Sequence, residues 1–418
     1  MGAYLTRYWM PDGIGMNKAE RMGGTYHPYA PDTLSDYAPV LSASCAESVA
    51  RAQGALSRLD ESRLLVDTEP LARLLLRAEA VSSSRIEGLE MPASKLLEYE
   101  ELDRLGVDHR LDGIEAQVLG NLHMLTDSLN RVSMGTNITL DIICELNRVL
   151  LKGTNLENLG GCLRVDQNWI GGNRVNPVGA IYVPPVPETV PGLMDDLIWF
   201  LASTELPPVA TAALAHAQLE TIHPFADGNG RVGRALVHVV LSASGFSQST
   251  VPPVSLVLAT DRERYIANLE AYRSENEDER DDSINNWVEY FANTLYVSCQ
   301  RAEEFEKSLL NIRDGWLKRV SFRADSAGRK LLDLLLGTPA ISIKTAQELT
   351  GKSYPAARSA VLACQEAKIL RQNSKNRKSG IYVADEVVQA FNSYERSLAT
   401  PSGDTSIEKP RRRVSQRR

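Results

Sequence analysis

The stretch that most constrains this chain is the twelve residues His223-Pro-Phe-Ala-Asp-Gly-Asn-Gly-Arg-Val-Gly-Arg234. It must be a tight turn between two helices. Pro208 to Ile222 has helical spacing, with Leu214, Ala215, Gln218 and Ile222 on successive turns. His223-Pro224 is expected to end that helix, because a residue before proline is pushed from the α region towards extended angles. Gly228, Asn229 and Gly230 are expected to take backbone angles closed to a residue with a Cβ, so that several N–H groups converge on one point. A second helix is expected from Arg231 to Ser242, its first N–H groups pointing back into the turn.

The side chains match that backbone. Arg231 and Arg234 share one face of the second helix's first turn. Cations are disfavoured there by roughly 0.3–1 kcal/mol, so two of them imply a bound anion. Asp227 is a hard oxygen ligand suited to a Mg²⁺ bridging phosphate oxygens. His223 has an imidazole's proton-transfer range near neutrality. Together these residues describe a site for a nucleotide phosphate chain.

The stretch resembles the signature of Fic-domain proteins, His-x-Phe-x-[Asp/Glu]-Gly-Asn-Gly-Arg-x-x-Arg, at every fixed position. Upstream, Ser83-x-x-x-Glu87-Gly88 resembles the [Ser/Thr]-x-x-x-Glu-[Gly/Asn] inhibitory motif of the same family, placed N-terminal to the core as in its class II members. The resemblance implies a mainly α fold, a helical Fic core with a β-hairpin flap. It implies protein adenylylation: transfer of AMP from ATP to a Tyr, Thr or Ser hydroxyl of a target protein, or of the chain itself. His223 is then the base and Asp227 the Mg²⁺ ligand. Gly228, Asn229, Gly230, Arg231, Val232, Gly233 and Arg234 form the nucleotide cradle. Asn168-Trp-Ile170-Gly171-Gly172-Asn173 corresponds to the flap, which pairs with the target's backbone and lines the nucleotide site. Tyr265, Tyr272 and Arg273 are candidates to close the adenine pocket; the alternative reading makes Tyr265 and Leu269 core residues one turn apart. Glu87 is expected to pair with Arg234 and misplace the triphosphate. Two other functions stay open: removal of AMP or transfer of another phosphate-containing group, and a DNA-binding regulator whose core senses nucleotide.

At 418 residues, with 43% hydrophobic and 24% charged residues, the chain is long enough for two or three globular domains. The five cysteines are scattered without a Cys-x-x-Cys, so neither a disulfide framework nor a zinc site is indicated, and a reducing cytoplasm is the expected compartment. No run approaches the roughly 18 apolar residues of a membrane helix, and no secretory pattern opens the sequence. The net charge of −7 argues against a globally basic nucleic-acid binder. The C-terminal part is nonetheless basic: residues 341–383 hold eight Lys/Arg against two Glu.

Domains are expected as follows: an N-terminal arm at 1–40, extended and without helical period, and a helical region at 41–135 that includes the inhibitory helix. The Fic domain follows at 136–300, a helical linker at 301–325, a winged helix-turn-helix at 326–395 and a disordered basic tail at 396–418. The winged module rests on helices at 326–336, 345–350 and 354–367, Ser353 as a helix N-cap, and a hairpin of 369–372 with 380–383 around a basic tip. Its expected partner is DNA, with protein contact as the alternative, and a homo-oligomer is left open.

Overall fold

The computed structural model describes residues 2–10, 15, 17–35, 37, 39–61, 69–106, 113–248, 250–273, 275–276, 279–373 and 380–397. Most of the basic tip at 373–379 and nearly all of the tail lie outside the described residues. The chain divides into two compact units, Met1–Gln53 with Asp127–Gly245 and Glu263–Asn293, and Gly54–Thr126 with Phe246–Arg262 and Thr294–Arg418.

The first unit opens with four short strands, β1 (Gly2–Tyr4), β2 (Arg7–Trp9), β3 (Gly24–Tyr26) and β4 (Tyr29–Pro31), and a short helix, α1 (Lys18–Arg21). β1 pairs with β4 and β2 with β3, both antiparallel, and both pairs share one register. Leu5 N donates to Pro28 O at 2.9 Å in the same register. The segment expected as an extended arm is therefore a single interrupted hairpin. Its Tyr and Trp side chains supply the cross-strand contacts that favour pairing, as in the edge-to-face pair Trp9–Tyr26 at 6.2 Å.

Helix α2 (Ala43–Glu61) starts in this unit, which also contains α6 (Leu140–Leu151), α7 (Val190–Ser203), α8 (Pro208–Ile222), α9 (Asn229–Ala243), most of α11 (Arg262–Tyr272) and the start of α12 (Arg280–Arg319). α8 opens on a proline at its first position, where no N–H is needed. Its described residues from Val209 to Ile222 are all buried, as in a helix sheathed on every side. Alanines at 210, 212, 213, 215 and 217 let its neighbours approach closely. Trp287 of α12 donates from Nε1 to Ala213 O at 2.8 Å.

The second unit contains α3 (Glu69–Ile86), α4 (Ala93–Arg104), most of α5 (Ile114–Arg131), α10 (Val254–Leu258) and the rest of α12. It ends in α13 (Ala327–Gly337), β5 (Ala340–Ser342), α14 (Ile343–Thr350), α15 (Tyr354–Glu366), β6 (Arg371–Gln372), β7 (Ile381–Val383) and α16 (Asp385–Ser397). The three strands form an antiparallel sheet in the order β5-β7-β6. Strand β5 and helix α16 go beyond the sequence reading. Ser342 caps α14, accepting from Thr345 N at 3.0 Å. Ser353 stands at the N-cap of α15 but makes no side-chain capping bond.

Helix α3 is held against the C-terminal elements of its own unit. Arg77 forks onto Glu100 at 2.5 and 2.9 Å and donates to Gly337 O at 2.8 Å. Arg73 reaches Thr338 Oγ1 at 3.2 Å, and Arg85 reaches Glu395 of α16 at 3.4 Å. The end of α3 is a Schellman turn: Leu89 N donates to Ser84 O at 3.1 Å, Gly88 N to Arg85 O at 2.9 Å, and Gly88 has φ +80°. Glu87 is thus the exposed C-cap residue just past the last helical turn, while Ser83 is buried.

Candidate active site

His223 is the C-cap of α8, with φ 51° and ψ 58°. The helix ends where the sequence indicates, but into the left-handed region rather than the extended one. That turn brings Pro224 and Phe225 straight back, and Phe225 is fully buried. A non-glycine residue held in such a conformation costs of order 1–3 kcal/mol and persists only when its surroundings over-determine it. The imidazole's Nδ1 faces the Glu220 carbonyl at 3.4 Å and the Glu220 carboxylate at 3.9 Å. A neutral ring donating from Nδ1 carries its lone pair on Nε2, the arrangement of a base.

Beyond His223, the turn is locked by two asparagines. Asn229 accepts from Phe225 N and donates to Phe225 O, both at 2.8 Å. Asn147 of α6 donates to Asp227 O and accepts from Gly161 N, both at 2.9 Å. Two expectations change here. The Asn229 carboxamide is occupied with Phe225, so its side chain braces the turn instead of facing a ligand. Of Gly228, Asn229 and Gly230, Gly228 alone takes a left-handed angle, φ +82°. Helix α9 already begins at Asn229, so Gly230 lies within its first turn. The first ladder bond runs from Val232 N to Gly228 O at 2.9 Å, leaving the amides of the preceding residues outside the helix's own bonding.

Arg231 and Arg234 are 2% and 3% exposed, unusually deep for guanidinium groups at a helix N-terminus. Arg231 meets the half-exposed Asp227 at 3.2 Å, and Arg234 lies 3.9 Å from Glu220. Glu220 therefore stands beside both His223 and Arg234. It is absent from the sequence-derived site, and its position one helical turn before His223 is the signal that marks it. Val232 is buried, and a Cβ on Gly233 would lie 3.0 Å from His216 Nδ1 and 3.3 Å from Glu220 Oε1. Those two positions set the approach of α8 and α9.

The flap segment forms less sheet than the expected β-hairpin. Its only bridge among the described residues pairs Ile170 with Tyr182, through Ile170 N to Tyr182 O at 2.8 Å and Tyr182 N to Ile170 O at 3.1 Å. Gly171 and Gly172 turn left-handed, with φ +75° and +72°, and Pro184 and Pro185 carry no N–H. Asn173 closes the loop, its side chain accepting from Val175 N and Asn176 N at 2.8 and 2.9 Å. Trp169 Nε1 donates to Asn173 O at 2.7 Å. The N-terminal hairpin braces this loop: Trp9 packs edge-to-face on Trp169 at 5.9 Å, and Tyr29 N donates to Val183 O at 2.9 Å.

Tyr265 lies in the interior, as the core alternative has it. Its hydroxyl is 2.9 Å from His216 Nε2, and its ring stacks on that imidazole at 6.0 Å. Burial, with the Arg234 charge adding to it, pushes the His216 pKa down to about 3. Tyr272 donates to Gln218 Oε1 at 3.3 Å, and Arg273 lies over the Tyr182 ring at 3.8 Å.

Comparison with known proteins agrees with this geometry. Residues 137–241 match the Fic/DOC family model, and residues 46–117 match the Fic/DOC family N-terminal model. These two segments are thus similar to the Fic/DOC family. Over 187 residues it is 30% identical to the protein adenylyltransferase fic-1 of Caenorhabditis elegans, covering 44% of this chain and 32% of that one. Over 235 residues it is 32% identical to the protein adenylyltransferase Fic of Drosophila virilis, covering 51% and 46%. The matched region thus spans a third to a half of the length of these relatives. A crystal structure of a Fic family protein from Desulfovibrio desulfuricans G20 shares the fold, with TM-score 0.51 and 20% identity over 83% of this chain and 98% of that one. No helix among the described residues is long and apolar enough to cross a membrane.

Proposed function

We propose that the chain is a protein adenylyltransferase that moves AMP from ATP to a hydroxyl side chain of a protein. The observation that carries this reading is the turn from α8 to α9, where a base, a helix N-terminus and two buried arginines lie within one short segment. The similarity to protein adenylyltransferases supports it. His223 Nε2 takes the proton of the acceptor Tyr, Thr or Ser hydroxyl, with its ring orientation held from Nδ1 by the Glu220 carbonyl. The acceptor oxygen bonds to the α-phosphorus of ATP, the bond to the β-phosphate's bridging oxygen breaks, and pyrophosphate leaves. The α9 amides and Arg231 hold the phosphates, and Arg234 holds the γ-phosphate.

The residues fit Mg²⁺. Asp227 offers one half-exposed carboxylate beside the anion site, and the described residues bring no group of three His, Cys, Asp or Glu together. That is the donor set for an ion that takes most of its ligands from phosphate and water. When bound, Mg²⁺ would neutralise charge on the phosphate oxygens. Incubation with α-labelled ATP and candidate proteins tests the reading: label on protein supports it, and label retained only in nucleotide, even after Glu87→Gly, overturns it.

The basic C-terminal module supports a second role. We infer a winged helix-turn-helix, supported by its order of helix, strand, helix, helix, strand, strand, and α15 leaves Tyr354 and Arg358 exposed. We take DNA as its partner. Removing Lys375, Arg377 and Lys378, which lie outside the described residues, should then weaken binding and flatten its salt dependence by about one unit per lost phosphate contact. Unchanged affinity and slope would point to protein contacts.

A further inference from the structure

Arg164 is 6% exposed, and its guanidinium is spent wholly on main-chain carbonyls. Nε donates to His223 O at 2.8 Å, one terminal nitrogen to Asp166 O at 3.2 Å, and the other to Pro185 O at 2.6 Å and Ile222 O at 3.4 Å. The Arg164 main-chain N–H donates to Pro224 O at 2.9 Å. Burial pushes its pKa down to about 10. Among the described residues no carboxylate lies within ion-pair distance of it, so a buried cation is kept here for its geometry.

The carbonyls it gathers come from three places. Ile222 and His223 are the end of α8, whose last carbonyls have no helical partner and attract a cation. Asp166 is on the limb leading into the flap, and Pro185 is on the limb leaving it. Asn168, also on the incoming limb, adds Nδ2 bonds to Phe225 O at 3.1 Å and His223 O at 3.4 Å. Tyr182, on the outgoing limb, donates its hydroxyl to Thr221 O at 2.7 Å. The left-handed His223 is thus restrained from the flap side by a planar fork whose donors point in fixed directions.

We propose that Arg164 is a positioning residue, fixing the left-handed His223 main chain, and with it the imidazole, relative to both limbs of the flap. The role rests on the adenylyltransferase reading, in which the flap presents the acceptor and His223 Nε2 must reach its hydroxyl. Lysine cannot replace Arg164, because a single ammonium cannot serve carbonyls on both limbs and at the helix end together.

The test uses the full chain with Glu87→Gly, comparing Arg164→Lys and Asn168→Ala with the parent. Transfer kcat, ATP affinity, melting temperature and ¹⁵N-histidine ring spectra are measured. The chain has six histidines, so His223 can be assigned by its loss in His223→Ala. The expected result for Arg164→Lys is a kcat lower by about 10²-fold, the effect of an ångström-scale misplacement, with ATP affinity within about twofold. The His223 ring signals move while those of His216, buried on the same helix, stay. Asn168→Ala shows the same pattern with a smaller loss. Unchanged kcat and an unmoved His223 signal in Arg164→Lys would overturn the proposal. So would a loss of kcat matched by lost ATP affinity and a displaced His216, which is plain structural damage. If the parent transfers nothing, the function reading fails, and the His223 spectrum still decides whether Arg164 positions it.

Discussion

At the scale of single residues, Gly228 has the least room in the turn. At φ +82°, with Leu150 Cδ2 2.6 Å from where a Cβ would stand, Gly228→Ala should lose at least about 1–2 kcal/mol in urea unfolding, the usual left-handed penalty. Its transfer activity should fall with it. The order His223, Asp227, Gly228, Arg231, Arg234 is legible in the sequence, since residue type limits proton transfer, anion binding and tight turning. That His223 is left-handed, Gly230 helical and Asn229 braced on Phe225 is not, because each depends on what packs behind the turn. His223→Ala should cost about 10²–10⁴-fold in transfer with ATP affinity nearly unchanged; persisting transfer would remove His223 as the base. His216 makes a separate pH prediction. The unfolded imidazole takes its proton near 6.5, whereas the folded one resists until about 3. The contribution from its neutral burial is therefore complete above about pH 6.5 and is lost as pH falls towards 3, at up to about 1.4 kcal/mol per pH unit. Urea midpoints at pH 7 and pH 5 should differ more for the parent than for His216→Phe.

At the scale of elements, long helices were the most legible part, because their apolar period extends over several turns. α8 runs over the residues its pattern marks, and α9 (Asn229–Ala243) encloses the expected Arg231 to Ser242. Three-residue strands carry no such period. β5 hides in Pro339-Ala-Ile-Ser342, and the N-terminal hairpin in a Tyr- and Gly-rich run, since only distant partners make either a strand. Helix α16 shows an apolar face of Val387, Phe391 and Tyr394, and the ring of Tyr394 stacks on Phe305 at 4.6 Å. The contact between α3 and α4 has a measurable weight. Arg77 and Glu100 are 6% and 20% exposed, and the Arg77 charge helps hold the Glu100 carboxyl below its usual range against the cost of burial. Removing one partner of such a pair strands the other charge. Arg77→Ala should therefore destabilise its unit by about 3–5 kcal/mol. A melting temperature within a degree of the parent would show that Glu100 finds water or another partner at no cost.

For the whole molecule, the regulatory expectation rests on Glu87 at the end of α3. Glu87 caps α3, while Arg234 lies in the first turn of α9. We propose that Glu87 competes with the γ-phosphate for Arg234, and activity tests it. Glu87→Gly should raise transfer, including self-modification. Glu87→Gly combined with Arg234→Ala should lose that gain, because the arginine is then needed for the triphosphate. Glycine inside a helix costs roughly 1 kcal/mol, so loosening of α3 could imitate release. The Schellman turn argues that this cost is small here: Glu87 is already past the last helical turn, and Gly88 provides the left-handed residue that ends the helix. Glu87→Gln separates the two causes, since it keeps the backbone and volume and removes only the charge. Raised transfer in Glu87→Gln, at an unchanged melting temperature, is the expected outcome. If neither substitution raises transfer, Glu87 is an ordinary exposed carboxylate and α3 is a structural helix without an inhibitory role.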